Sequence, residues 1–262
     1  MKVIRTWLAL AVLCAGTARG AGPSYSAAGI VNASNFTAGP FAPNSVISIF
    51  GTSLARSTHI LVDADLVACA TGRCLPTEMN YVRVYVQNQP VPLLFVSEGQ
   101  INFLMSSLES PGTVIVRVAN ESNSGPEIPV TLVDAAPALF SMTGGYAIAQ
   151  DVKGKLLTAD APAHAGDIVV VYATGLGRTS QKPVPGEVPS YAATVLAAAS
   201  LKVTLNGKAL DPSLIKYAGV TPGSAGLYQI NLELPGGTGN DPEIQVTAGN
   251  PATQTVLKLP LR

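Results

Sequence analysis

The chain repeats itself, and that constrains its fold more than any other feature. Val46-Ile47-Ser48-Ile49-Phe50-Gly51-Thr52-Ser53-Leu54 returns as Ile168-Val169-Val170-Val171-Tyr172-Ala173-Thr174-Gly175-Leu176, at an offset of 122. Tyr81–Asn88 returns as Ser200–Gly207 at 119, and Gln100-Ile101-Asn102-Phe103 as Gln229-Ile230-Asn231-Leu232 at 129. The segments keep their order, so the chain carries two copies of one unit. The 129 offset, continued without a gap, lays Thr113–Asn120 on Pro242–Gly249. The more obvious likeness, Pro126-Glu127-Ile128 to Pro242-Glu243-Ile244, breaks that register and is set aside.

Each unit reads as β. Val82, Val84 and Val86 alternate with Arg83, Tyr85 and Gln87, and Leu201, Val203 and Leu205 alternate in the same way. A period of two marks a strand with one buried face. Thr113–Val118 and Ile128–Leu132 continue the pattern, and Asn206-Gly207 between two such runs is a hairpin signal. Lys153-Gly154 is a weaker one. Gly and Pro punctuate the chain every eight to twelve residues, as in a sandwich. Only Tyr191–Ser200, rich in Ala, looks helical, and it aligns with a loop of the first unit. The expectation is an all-β chain of two tandem immunoglobulin-like β-sandwich units, 21–134 and 135–262. They join at Ala135-Ala136-Pro137-Ala138-Leu139-Phe140, too short and too apolar for a swinging linker.

Residues 1–20 read as a signal peptide. Lys2 and Arg5 precede an uncharged stretch from Thr6 to Ala18, too short to span a bilayer. Ala18-Arg19-Gly20 suits cleavage after Gly20. A lipoprotein would use Cys14, but Leu13 before it is larger than such sites take; a retained anchor is the other alternative. Nothing later is long and apolar enough to cross a membrane. Bases and acids number 16 each, and removing Lys2, Arg5 and Arg19 leaves acids three ahead. Such a chain has no basic face for nucleic acid.

Cys69 and Cys74 remain after cleavage, spaced C-x4-C with Gly72 in the turn. A metal site would need two more ligands, and His59 and His164 are far apart in sequence. In an oxidising compartment the spacing favours a local disulfide over two free thiols.

The residues offer little chemistry. Ser213 and Lys216 have S-x-x-K spacing, but they follow Asp211-Pro212 and lead into a strand rather than opening a helix. Gly51-Thr52-Ser53-Leu54 lacks the second glycine of a nucleophile elbow, and there is no P-loop. His59, Asp63 and Asp65 are close in sequence. Alternation puts the two acids on one solvent face of a strand, and two carboxylates alone hold calcium weakly. His164 beside Gly166-Asp167 reads as surface loop. Gln100/Asn102 and Gln229/Asn231 form the polar element that recurs. As a repeated feature they read as amides satisfying backbone groups at a strand start, with ligand contact the alternative. Sugar binding would want exposed aromatic rings. The mature chain lacks Trp, and Phe50, Phe95, Phe103, Tyr172 and Tyr217 sit in apolar strand patterns.

Gly29-Ile30-Val31-Asn32-Ala33, Val46–Thr52, Leu93-Leu94-Phe95-Val96, Gly99–Phe103, Ala135–Phe140, Tyr172–Gly177 and Gly226–Asn231 together resemble the Solibacter-type C-terminal domain family of acidobacterial secreted proteins. Each unit is similar to IPT/TIG-type immunoglobulin-like domains. Glu98-Gly99 stands where that family often has Pro-Gly. The resemblance implies an extracytoplasmic module of no known activity. The expectation is therefore a secreted, non-enzymatic interaction or surface-architecture module without a cofactor, whose partner is a protein or polysaccharide of the envelope or matrix. A polysaccharide-binding module is the alternative, and a hydrolase a lesser one.

Overall fold

The computed structural model describes residues 22–121, 123–181, 184–249 and 256–262. The expected leader, its cleavage site and Cys14 lie outside the described residues. Among those described, no helix is long and apolar enough to cross a membrane. The fold is all-β.

The first unit contains β1 (Ser24–Asn32), β2 (Val46–Thr52), β3 (His59–Ile60), β4 (Val67–Cys69), β5 (Gly72–Cys74), β6 (Val82–Val86), β7 (Gln89–Val91), β8 (Leu93–Val96), β9 (Gln100–Leu104), β10 (Gly112–Asn120), β11 (Asn123–Ser124) and β12 (Ile128–Leu132). One sheet runs β1-β2-β9-β8-β3 and the other β11-β10-β6-β7, with β12 also on β10. The second unit contains β13 (Ala138–Leu139), β14 (Ser141–Met142), β15 (Tyr146–Ala147), β16 (Ala149–Asp151), β17 (Ile168–Thr174), β18 (Leu201–Leu205), β19 (Lys208–Ala209), β20 (Ile215–Val220), β21 (Tyr228–Glu233), β22 (Glu243–Ala248) and β23 (Leu257–Lys258). Its sheets run β13-β17-β21-β20, with β16 on β17, and β14-β15-β23-β22-β18-β19.

The shared topology is direct evidence of duplication. The order β2-β9-β8 returns as β17-β21-β20, and β10-β6-β7 as β22-β18-β19. Register is kept as well: Val46 faces Leu104 and Phe50 faces Gln100, just as Ile168 faces Glu233 and Tyr172 faces Gln229. Each pair of sheets is an immunoglobulin-like sandwich closed over its own core. Ile47, Ile49, Ile101 and Phe103 pack with Val84, Val86, Val114 and Val116 in one, while Val169, Val171, Ile230 and Leu232 pack with Val203, Leu205, Ile244 and Val246 in the other. Every such side chain contributes roughly 1.5–3 kcal/mol on leaving water.

One register expectation is corrected. Val86 pairs with Val116, whereas Leu205 pairs with Ile244, so the last strands correspond at an offset of 128 rather than 129. With a period of two, an odd slip would put buried Val114 and Val116 on exposed or half-buried positions of β22. The connection after the Gln-Ile-Asn strand is one residue shorter in the second unit. Ile128–Leu132, set aside as a counterpart of β22, is the separate strand β12.

Asn206 and Gly207 form the expected hairpin turn, with φ of 48° and 74°. Gln87 and Asn88, aligned with them at 119, make the same turn at 49° and 63° without a glycine. In the Ala-rich stretch only Leu196–Ser200 is helical, a 3-10 turn without a side-chain cap. Before it, Val195 donates its N–H to Ala218 O and extends the sheet edge.

Candidate functional site

The two units meet at a seam built from the start of β2 and the end of β17. Thr174, fully buried, accepts a hydrogen bond from Val46 N at 3.0 Å and donates to Gly226 O at 3.2 Å. Gly226 has φ 75°, and a Cβ there would sit 2.4 Å from Leu104 Cδ1 and 2.9 Å from Val46 Cγ2, so only glycine lets the loop lie on those side chains. Leu104, on the outward face of β9, is 3 % exposed because the second unit covers it. Tyr228, wholly buried, donates to Gly177 O at 2.5 Å and also bonds the Asn44 side chain of the first unit. Burial pushes its hydroxyl pKa far above the usual range, opposed in part by that Asn44 bond.

The join is buried at Ala135, Ala136, Ala138 and Leu139. Ala135 and Leu139 belong to the second unit's core rather than to the seam, and β13 pairs with the end of β17. Gly175, at φ 77°, lies against the join: a Cβ would come 2.2 Å from Ala136 O.

Cys69 and Cys74 are bonded in a disulfide that closes the β4–β5 hairpin. This hairpin reaches the second unit. Leu75 N donates to Gly186 O at 2.8 Å, Val188 N donates to Arg73 O at 2.9 Å, and Cys74 bridges to Glu187. Glu187 is 5 % exposed, accepting from Val184 N at 3.1 Å and from Tyr191 Oη at 3.3 Å. Burial, and then the Glu187 charge, raise the Tyr191 pKa. The cavity lined by Asn44, Glu187, Tyr191 and Tyr228 has only about 20 Å³, room for one water and for no organic ligand. Wider grooves lie at the tip of the β18–β19 hairpin, about 610 Å³ beside Lys208, Asp211 and Thr238, and between the units, about 380 Å³ beside Leu108, Arg178 and Leu196.

The polar candidates fall in separate places. His59 Nε2 lies 2.9 Å from Asp65 Oδ2, and that bond, then the Val62 N–H, lower the Asp65 pKa. Asp63–Asp65 is a 3-10 turn, not a strand, because the Asp65 carboxylate turns back to cap Val62 N; Arg73 meets Asp63 instead. His164 is a loop residue whose N–H bonds Asp167. Lys216 Nζ donates to the backbone carbonyl of Ser213, not to its hydroxyl, and pairs with Glu233 at 2.7 Å. Ser53 N donates to Glu98.

The Gln-Ile-Asn amides depart from the expectation. They are half-buried on the outward sheet faces and bond each other along the strand, Gln100 Nε2 to Asn102 Oδ1 at 2.8 Å and Gln229 Nε2 to Asn231 Oδ1 at 3.0 Å. Side chains two apart share a strand face, and backbone groups there are already paired in the ladder. Ser48 also donates to Asn102 Oδ1 at 2.8 Å. Phe50 is likewise corrected: it points outward, 39 % exposed, with its ring centroid 6.1 Å from that of Phe36, itself 61 % exposed. The period was legible, since Ile47 and Ile49 inward put Ser48 and Phe50 outward. Phe36 lies in a loop with no period to read.

No family model and no curated protein matches the chain. Among solved structures it is similar to SGBP-B from a complex xyloglucan utilization locus in Bacteroides uniformis (11% identity, TM-score 0.26, covering 91% of this chain and 48% of that one). It is also similar to the plexin A4 extracellular region (10%, 0.30, 94% and 19%) and to titin A168–A169 (12%, 0.27, 92% and 100%). The chain thus spans about half of SGBP-B and a fifth of the plexin region. Superposition is poor in every case, and the sandwich assignment stands on the chain's own strand order and register.

Proposed function

We propose that this chain is a secreted, non-enzymatic interaction or surface-architecture module of the cell envelope or matrix, in which two sandwiches act as one rigid block. The seam carries this reading. A threonine ties the two units together, a glycine is fitted against Leu104, and the disulfide hairpin adds backbone pairing from the other side. Free-swinging units would need none of these, whereas a block holds surfaces from both units in fixed relation. The disulfide and the apolar leader support export. The order of motifs supports placing the chain with the Solibacter-type family. Polysaccharide binding has its own support in the outward Phe36 and Phe50 rings, developed below.

The test uses the purified mature protein. Saturable retention on an envelope fraction, without turnover of ester, glycoside or peptide substrates, is expected. Turnover abolished by a single substitution would overturn the non-enzymatic reading.

A further inference from the structure

We propose that the outward face of β2 and β9 in the first unit, with Phe36 beside it, is a binding site for uncharged pyranose glycans. The inference rests on the module reading and names the ligand class of one of its surfaces. Phe50 faces Gln100 across the strand pair, and Ser48 faces Asn102. The outward row therefore reads Phe50, Gln100, Ser48, Asn102, with Phe95 opposite Asn102 on β8. None of these side chains is charged. The acid next to this row in sequence, Glu98, is turned to the Ser53 N–H.

The chemistry of the row fits a sugar on both of its faces. A pyranose presents an apolar C–H face, which packs on an aromatic ring, and hydroxyls at its edge, which both donate and accept. Gln100 Oε1 and Asn102 Nδ2, one acceptor and one donor, have no hydrogen-bond partner among the described residues. An anionic ligand would find no cation in this row, and a purely hydrocarbon surface would leave both amides without partners. The Phe36 and Phe50 rings are tilted by 50°, an angled cradle that suits a twisted soluble chain better than a flat crystalline surface.

Phe36 supplies an independent observation. It holds φ at 55°, a left-handed backbone that a bulky residue adopts at a cost, and its ring gains little burial in return. The loop beneath it is fastened: Asn32 O accepts from Phe36 N, Asn32 N donates to Thr37 O, and the buried Asn32 side chain takes both Ser34 donors. The ring is thus held in water by design of the loop, not left there by slack. In the second unit, Tyr172 occupies the Phe50 position but ties its hydroxyl to Gln150 at 3.0 Å.

Affinity electrophoresis of the mature protein tests the site, using gels cast with hydroxyethylcellulose, mixed-linkage β-glucan or galactomannan, and polygalacturonate as the anionic control. Retardation in at least one neutral gel, and none in polygalacturonate, is expected. Phe50→Ala and Phe36→Ala should each weaken it by about tenfold. Tyr172→Ala should leave it unchanged, with circular dichroism confirming that all three variants fold. Binding to none of the neutral gels overturns the site, as does retardation that survives both phenylalanine substitutions. A concentration-dependent dimer that Phe36→Ala dissolves would assign the face to a second copy instead. Saturable retention on an envelope fraction without glycan binding would leave the module reading standing and remove only this site.

Discussion

The two units share strand order and register, yet their outward faces have gone different ways. In the first, Val46 and Leu104 lie under the second unit's Gly226 loop. In the second, the same positions are Ile168, 38 % exposed, and Glu233, which pairs with Lys216. Phe50 stands in water beside Phe36, whereas Tyr172 is tied to Gln150. Inward positions hardly differ, since Ile47, Ile49 and Ile101 correspond to Val169, Val171 and Ile230. A duplicated sandwich keeps what its core demands, and each outward position answers to whatever covers it.

Separating the units should have the largest effect. Cutting after Asp134 uncovers Val46 and Leu104 and unpairs the β5 edge. The first half should lose on the order of 3 kcal/mol, read by chemical denaturation. Two halves as stable as they are in the intact chain would break the comparison at its root. A glycine contrast sharpens it. Gly175→Ala must take φ 77° against Ala136 O and should cost about 3 kcal/mol, whereas Ser53, its counterpart at φ 54°, should tolerate glycine within about 0.5 kcal/mol.

Cys69→Ser should cost about 2 kcal/mol by loop entropy, and it should also open the 184–189 segment to protease. An equal rise in cleavage at the β18–β19 turn, which these bonds do not reach, would count against the seam contact. Tyr228→Phe should cost about 1.5 kcal/mol, because Gly177 O and Asn44 lose a buried partner. The wild-type hydroxyl pKa is raised on folding, so its contribution is whole below the unfolded tyrosine value near 10 and declines as pH climbs above it. The variant should lack that alkaline loss. The smallest effect belongs to Asp65, whose carboxylate pKa is lowered on folding by His59 and Val62 N–H. Its contribution is present above the unfolded carboxylate value and is lost as pH falls through the lowered one. Asp65→Asn should flatten only that acid limb.

The sandwich class, the disulfide and the duplication were legible because alternation and spacing are local signals. The last-strand register was not, because an offset of 129 or 128 differs by one loop residue, and only strand pairing reveals which face turns inward. The strand assigned to Asp63 and Asp65 failed because a carboxylate can cap its own chain. The apolar join was legible as a buried segment, but it packs into the second unit's core, and the seam itself rests on Thr174, Gly226 and Glu187, whose partners lie far away in sequence. Phe50 could have been placed outward by its parity with Ser48, while Phe36 depends on a loop held by Asn32.

Backbone ¹⁵N relaxation on the uncut chain 21–262 tests the rigid block most directly. Amides of the β6–β10 sheet and of the β18–β22 sheet should report one common rotational diffusion tensor, with the 184–189 segment as ordered as the strands it meets. Two separate, shorter correlation times, one for each unit, would contradict the seam.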